Sequence, residues 1–245
     1  MTGAAPGYAR TMSVDSSATA FDPKVHGFHF RNSFDGLDIV TELGAGFLGS
    51  DLPSKVVPDD FWDTWGLCGG MAWHALDRYY ARNPVPAGKS APGLGSPVFN
   101  VLVARQVDSL QRWKMITRCL DWQKRPDEGA WLWRRGVGYL TQREEWPKLR
   151  DSIRRGYPVS LCLIRTKSNP AENHQVVATG YRHDDTSGLV EIDLYDPNRP
   201  DRTSLIRFRL GQAKHQLSAT QGTDRPLRGF FVWPYDRAER RLAPA

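Results

Sequence analysis

The chain is poor in cysteine, and no two of its cysteines are spaced to hold a metal. Three thiols in 245 residues are too few for a disulfide-built scaffold, and an odd number leaves at least one free or paired with another molecule. Cys-x-x-Cys is absent, which argues against a zinc site. No apolar run approaches the ~20 residues that span a bilayer. Met1 to Ala20 lacks the continuous apolar segment of a secretory leader. Gly66-Leu67-Cys68-Gly69-Gly70 is glycine-rich but has neither the Lys nor the Ser/Thr of a phosphate loop. Basic residues outnumber acidic ones by 33 to 27, a net charge of +6. They are scattered, however: Arg134-Arg135, Arg154-Arg155 and Arg240-Arg241 are pairs and not runs. This reads as a solvated basic surface. The expectation is a protein with no membrane or nucleic-acid partner, no metal and no cofactor, either cytoplasmic or exported without a cleavable leader.

What the chain does have is apolar mass. Apolar residues make up 40%, among them nine Trp, eight Tyr and ten Phe, enough to fill a sizeable core. The length fits one domain, placed at 21–245 behind a disordered Ala/Ser/Thr/Gly tail at 1–20. Residues 21–60 read as an irregular lead-in that wraps the core, 61–156 as a helical part and 157–236 as a sheet. Cys68 to Arg82 carries a helical stripe of Met71, Ala72, Ala75, Leu76 and Tyr79, stopped by Asn83-Pro84. A second helix is expected over 99–120, with Phe99, Leu102, Val103, Gln106, Leu110, Trp113 and Ile116 on one side. A third is expected over 144–155, with an exposed Glu144-Glu145 start, a stripe of Trp146, Leu149 and Ile153, and Gly156 as a left-handed cap. The period then changes to that of strands: 158–165, 174–182, 189–195, 204–210 and 229–235. Helices first and antiparallel strands after predict the α+β class.

Three segments carry chemistry. Cys68 opens a predicted helix between glycines. Unpaired N–H groups and the helix dipole favour a thiolate there, the nucleophilic form of cysteine. Gly69 and Gly70 each cost about 1 kcal/mol relative to Ala inside a helix, and close access of a carbonyl to the backbone is one reason to bear that cost. His174 opens the strand His174-Gln175-Val176-Val177-Ala178-Thr179-Gly180-Tyr181, a fixed platform for an imidazole base. Asp196 ends the following strand in Tyr195-Asp196-Pro197-Asn198. In a hairpin it comes back beside His174 and can hold the far ring nitrogen; Asn198 can take the same part. Cys119 and Cys162 sit in apolar patterns and read as structural, as do His74 and His215 as packing or surface residues. Cys68, His74, His174 and Asp196 do not make a zinc set, since Cys68 and His74 point to different helix faces.

The sequence Cys68-Gly69-Gly70-Met71, then His174 to Tyr181, then Tyr195 to Asn198 resembles papain-like cysteine peptidases, especially the bacterial C39-like branch. Gly156-Tyr157-Pro158-Val159 before a strand adds to the likeness, which covers about 62–210. The resemblance implies a Cys-bearing helix packed on an antiparallel sheet that supplies the His and an Asp or Asn. It also implies cleavage of a peptide or amide bond in a peptide or protein substrate, through a thioester. One stretch departs from the family: Asp60 to Trp65 contains no Gln or Asn to donate to the oxyanion. The backbone N–H of Cys68 can supply one donor, and the second is left open between Asn32 and Trp65 Nε1. The same triad order serves deamidases, transglutaminases and acyltransferases, including effectors and toxins, and a retired peptidase that only binds peptides would keep the fold.

Overall fold

Each strand expected after Gly156 forms, and the reason is visible in its burial. In the computed structural model, which describes residues 13–34, 66–110, 114–128, 135–165, 172–211, 217–219 and 227–237, the strands are β1 (Val14–Ala18), β2 (Val159–Ile164), β3 (His174–Asp184), β4 (Leu189–Tyr195), β5 (Ser204–Arg209), β6 (Ser218–Ala219) and β7 (Gly229–Val232). They make one sheet in the order β6-β5-β4-β3-β2-β7, with β1 paired to the far half of β3. Every pairing is antiparallel. β2 is buried along its whole length, so it reads as a continuous apolar run. β5 alternates buried Ile206 and Phe208 with exposed Arg207 and Arg209, as a half-buried strand must.

The helices are α1 (Pro23–His26), α2 (Cys68–Tyr80), α3 (Pro97–Ser109), α4 (Lys114–Lys124), α5 (Val137–Leu140) and α6 (Trp146–Arg154). Helices and an antiparallel sheet together make the class α+β. One sheet face, with Cys162, Ile164, Val177 and Phe231, packs on α2, α3 and α4 and on Phe21, Phe28 and Phe30 of the lead-in. The other face, with Leu161, Val176, Val190 and Ile192, packs on Trp146, Leu149 and Ile153 of α6. Among the described residues, no helix is long and apolar enough to cross a membrane.

Four expectations need correction. Residues 14–18 of the presumed tail form β1, whose register runs from Val14 opposite Asp184 to Ala18 opposite Gly180. Its side chains are mostly exposed, so backbone pairing holds it, aided by Asp15, which accepts from Tyr181 Oη and Arg154. The helix expected over 99–120 is two. Ser96 caps α3 by accepting from Phe99 N, Pro97 fills its first turn, and the helix closes at Ser109 before α4 begins. The stripe on α2 widens until Gly69 to Arg78 are all buried, because the sheet lies on one side of this helix and α3 on the other.

Glu145, expected at an exposed helix start, is 1% exposed. Residues Thr141–Glu145 form a π turn ahead of α6. Thr141 exchanges hydrogen bonds with Phe230, and Glu145 accepts from Val232 N at 2.8 Å and from Arg118 and Lys148. The turn thus satisfies the edge of β7, an accommodation typical of single-turn π segments. The expected cap at Gly156 is present, with φ +84°.

Candidate active site

Cys68 is the first residue of α2, and the donors of that first turn are shared out one by one. Leu67 N donates to Asn32 Oδ1 at 2.9 Å, and Gly70 N donates to Gln106 Oε1 at 2.9 Å. Gly69 N–H is directed to the Cys68 sulfur, and Met71 N makes the first helical bond to Leu67 O. The Cys68 N–H takes no partner among the described residues. It is the donor left for an oxygen developing negative charge beside the sulfur. Leu67 brings no side-chain cap of its own, so the exposed dipole is satisfied from Asn32 and Gln106, far away in sequence.

Cys68 is half-buried as a residue, while Cys119 and Cys162 are buried at 7% and 1% with their sulfurs 3.5 Å apart. Gln175 N donates to Cys68 Sγ at 3.4 Å. His174 neighbours the thiol closely enough to favour its ionised form, and its Nε2 lies 2.6 Å from Asp196 Oδ1. With Nε2 committed to Asp196, the nitrogen facing sulfur is Nδ1. The three residues expected from sequence thus converge: α2 brings Cys68, the start of β3 brings His174, and the end of β4 brings Asp196. The β3–β4 register, which pairs Val177 with Tyr195, sets Asp196 level with the strand mouth.

Charge follows the geometry. Burial opposes ionisation of Cys68, yet the hydrogen bond and charge of His174 and the N–H groups of Gln175 and Gly69 together hold the thiol below its ordinary value. Burial likewise disfavours imidazolium, but the Asp196 charge and hydrogen bond and the Cys68 sulfur raise His174 from 6.5 to about 9. Asp196 is 1% exposed. Against that burial, His174, the Asn198 N–H and the charge of Arg165 keep its carboxyl below the usual range. Both shifts favour the thiolate–imidazolium pair over the neutral thiol–imidazole pair.

Asn198 supports Asp196. Its backbone N donates to Asp196 Oδ1 at 2.9 Å. Its Nδ2 lies 3.3 Å from His174 Nε2; since Nε2 already donates to the carboxylate, that approach is a packing contact unless the amide is reversed to present its oxygen. Asn32 lies at the site too. Its side chain packs against Gly66, where an added Cβ would meet Nδ2 at 2.6 Å, and its own N donates to Pro197 O at 2.9 Å. It therefore ties the lead-in to both the nucleophile turn and the loop after Asp196. Trp65 and His215 lie outside the described residues. His74 is a packing residue, buried and stacked on Phe28 with ring centroids 5.8 Å apart. Among the described residues no cluster of His, Cys, Asp and Glu is built to hold a metal.

Sequence reasoning missed Gln175, Gln106, Ser109 and Arg165. Gln175 directly follows His174 and Gln106 already stood on the inner stripe of its helix, so a polar residue at a core position was the available signal. Compared with protein-family models, with curated proteins and with solved structures, the chain has no match in any of the three.

Proposed function

We propose that this chain is a papain-like, thiol-dependent hydrolase that cleaves a peptide or amide bond. The observation that carries the reading is the convergence on Cys68 Sγ of the Gln175 N–H and the His174 ring, with the ring's other nitrogen 2.6 Å from Asp196. A structural cysteine has no use for a base that is itself oriented by a buried carboxylate; a nucleophile needs both.

The Cys68 thiolate attacks the substrate carbonyl carbon and forms a C–S bond. The carbonyl oxygen gains negative charge next to the Cys68 N–H, and Asn32, whose Oδ1 accepts from Leu67 N, is the candidate side chain for the second hydrogen bond. As the C–N bond breaks, the leaving amine takes the proton from His174 Nδ1. Water then attacks the thioester and gives a proton back to Nδ1, the C–O bond forms, and sulfur departs as thiolate. Asp196 keeps Nε2–H pinned throughout, so Nδ1 is the nitrogen that exchanges protons.

The test incubates wild type and Cys68→Ala with a library of peptides carrying amide side chains and follows the products by mass spectrometry. Cleaved backbone bonds or released ammonia only with the wild type support the hydrolase. Equal products from both proteins, or none on any peptide, would reject it, and cross-linked or acyl-tagged peptides would reassign the same residues to transfer.

A further inference from the structure

A buried polar chain connects the strand that carries the base to the helix that carries the sulfur. It starts at Gln175, one residue beyond His174. The Gln175 backbone N–H is on Cys68 Sγ at 3.4 Å, and its side-chain Nε2 donates to Ser109 Oγ at 3.2 Å. Ser109 Oγ in turn donates to Gln106 O at 2.7 Å, and Gln106 Oε1 accepts from Gly70 N at 2.9 Å. The far side is anchored as well, because Trp233 Nε1 donates to Ser109 O at 2.7 Å. Gln175, Ser109 and Gln106 are exposed by only 4%, 0% and 2%.

The glycines of α2 make the fit possible. A Cβ at Gly69 would stand 2.5 Å from Gln175 Nε2 and 2.6 Å from Ser109 Oγ, and a Cβ at Gly70 would stand 2.1 Å from Leu102 O. The two glycines after Cys68 therefore open room for this chain of hydrogen bonds against the inner side of the helix. Three amide and hydroxyl groups buried in an apolar face would be costly unless they bonded one another. The bonds they make fix both ends, the helix turn through Gly70 and the strand mouth through Gln175, while Gln175 Oε1 is buried without a partner among the described residues.

We propose that Gln175, Ser109 and Gln106 are positioning residues for the nucleophile, a strut that holds the Gln175 N–H and the α2 first turn in register around Cys68. The proposal rests on the hydrolase reading and names what keeps that site assembled. The ionisable groups facing the sulfur are His174 with Asp196 behind it, Cys162 of β2, and Arg165 beyond Asp196. The charges of Asp77, Arg105 and Asp108, between α2 and α3, are paired with one another. The strut adds no charge, so its removal acts on the sulfur through geometry alone.

The test measures the rate of Cys68 carboxamidomethylation against pH by intact mass, with thermal midpoints in parallel, for wild type, Ser109→Ala, Gln175→Met and the double variant. The expected result is a rise of about one unit in the pH of half-maximal labelling for each single variant, a roughly tenfold slower reaction at the acid end. The double variant should match the larger single effect, since both remove one shared bond. Should Gln175→Met fail to fold, Ser109→Ala, the smaller truncation, decides. Folded variants with the wild-type midpoint, even at lower thermal stability, would overturn the proposal, and so would additive shifts. A wild-type midpoint near ~8.5, that of an ordinary thiol, would overturn the hydrolase reading and the strut with it.

Discussion

Replacing Asp196 by asparagine keeps the volume of the buried carboxylate and an oxygen for His174 Nε2–H, removes its charge, and turns its other oxygen into an NH2 donor. His174 is raised from 6.5 to about 9, a gap worth on the order of 3 kcal/mol at about 1.4 kcal/mol per unit. Asp196 supplies a charge and a 2.6 Å hydrogen bond, and the Cys68 sulfur shares the rest. Asp196→Asn should therefore lower His174 by about one to two units. The sign for stability follows from both partners. The raised His174 contributes stability that is fully present below its unfolded value of 6.5 and is lost as pH rises through about 9. The depressed Asp196 contributes stability that is present above its ordinary 3.8 and is lost as pH falls through its lower folded value. The stability gap between wild type and variant should be widest from about pH 4 to 6.5 and should close toward pH 9. The assays are an NMR titration of the His174 ring and urea unfolding at a series of pH values. A folded Asp196→Asn protein whose His174 still titrates near the wild-type value would refute the electrostatic account of the site.

The other predictions follow the same contacts. In Cys68→Ala, labelling by iodoacetamide at neutral pH should vanish, with Cys119 and Cys162 becoming reactive only in denaturant; label on either in the native protein would contradict their burial. Gly70→Ala should destabilise by several kcal/mol, because the new Cβ meets Leu102 O at 2.1 Å, although the same change in an open helix would gain about 1 kcal/mol; a raised thermal midpoint would disprove the α2–α3 contact. Glu145→Ala should cost about 2 kcal/mol by leaving Val232 N without its acceptor, and a change under about 0.5 kcal/mol in chemical denaturation would argue that the π turn is not held this way.

Much of the sheet and of the triad is legible in the sequence because those features are local. A change of period from helical to alternating marks the strands, and Cys68, His174 and Asp196 each stand where a helix or strand begins or ends. The elements that escaped are defined by what they pack against. β1 shows one exposed Val14 and otherwise small or polar side chains because its partner is the backbone of β3, so no alternating pattern in Val14 to Ala18 betrays it. The break between α3 and α4 falls within a single apolar stripe, and the Ser96-Pro97 start was the one local sign that the first helix begins earlier. Glu145 looks like a surface residue until the unpaired N–H of Val232 is found beside it.

The two glycines after Cys68 illustrate where sequence logic stops. Read locally, Gly69 and Gly70 suggest an open approach for a substrate carbonyl. In the structure both are buried, and their missing side chains are replaced by Gln175 and Ser109 in one case and by the backbone of α3 in the other. The helical penalty of about 1 kcal/mol each is thus offset on the inner side of the helix by close packing and by the hydrogen bond from Gly70 N to Gln106 Oε1. The Cys68 N–H remains the first-turn donor that neither Asn32 nor Gln106 takes. Gly69 lets α2 sit against Gln175 of β3, whose N–H reaches the sulfur, and Gly70 lets it sit against α3.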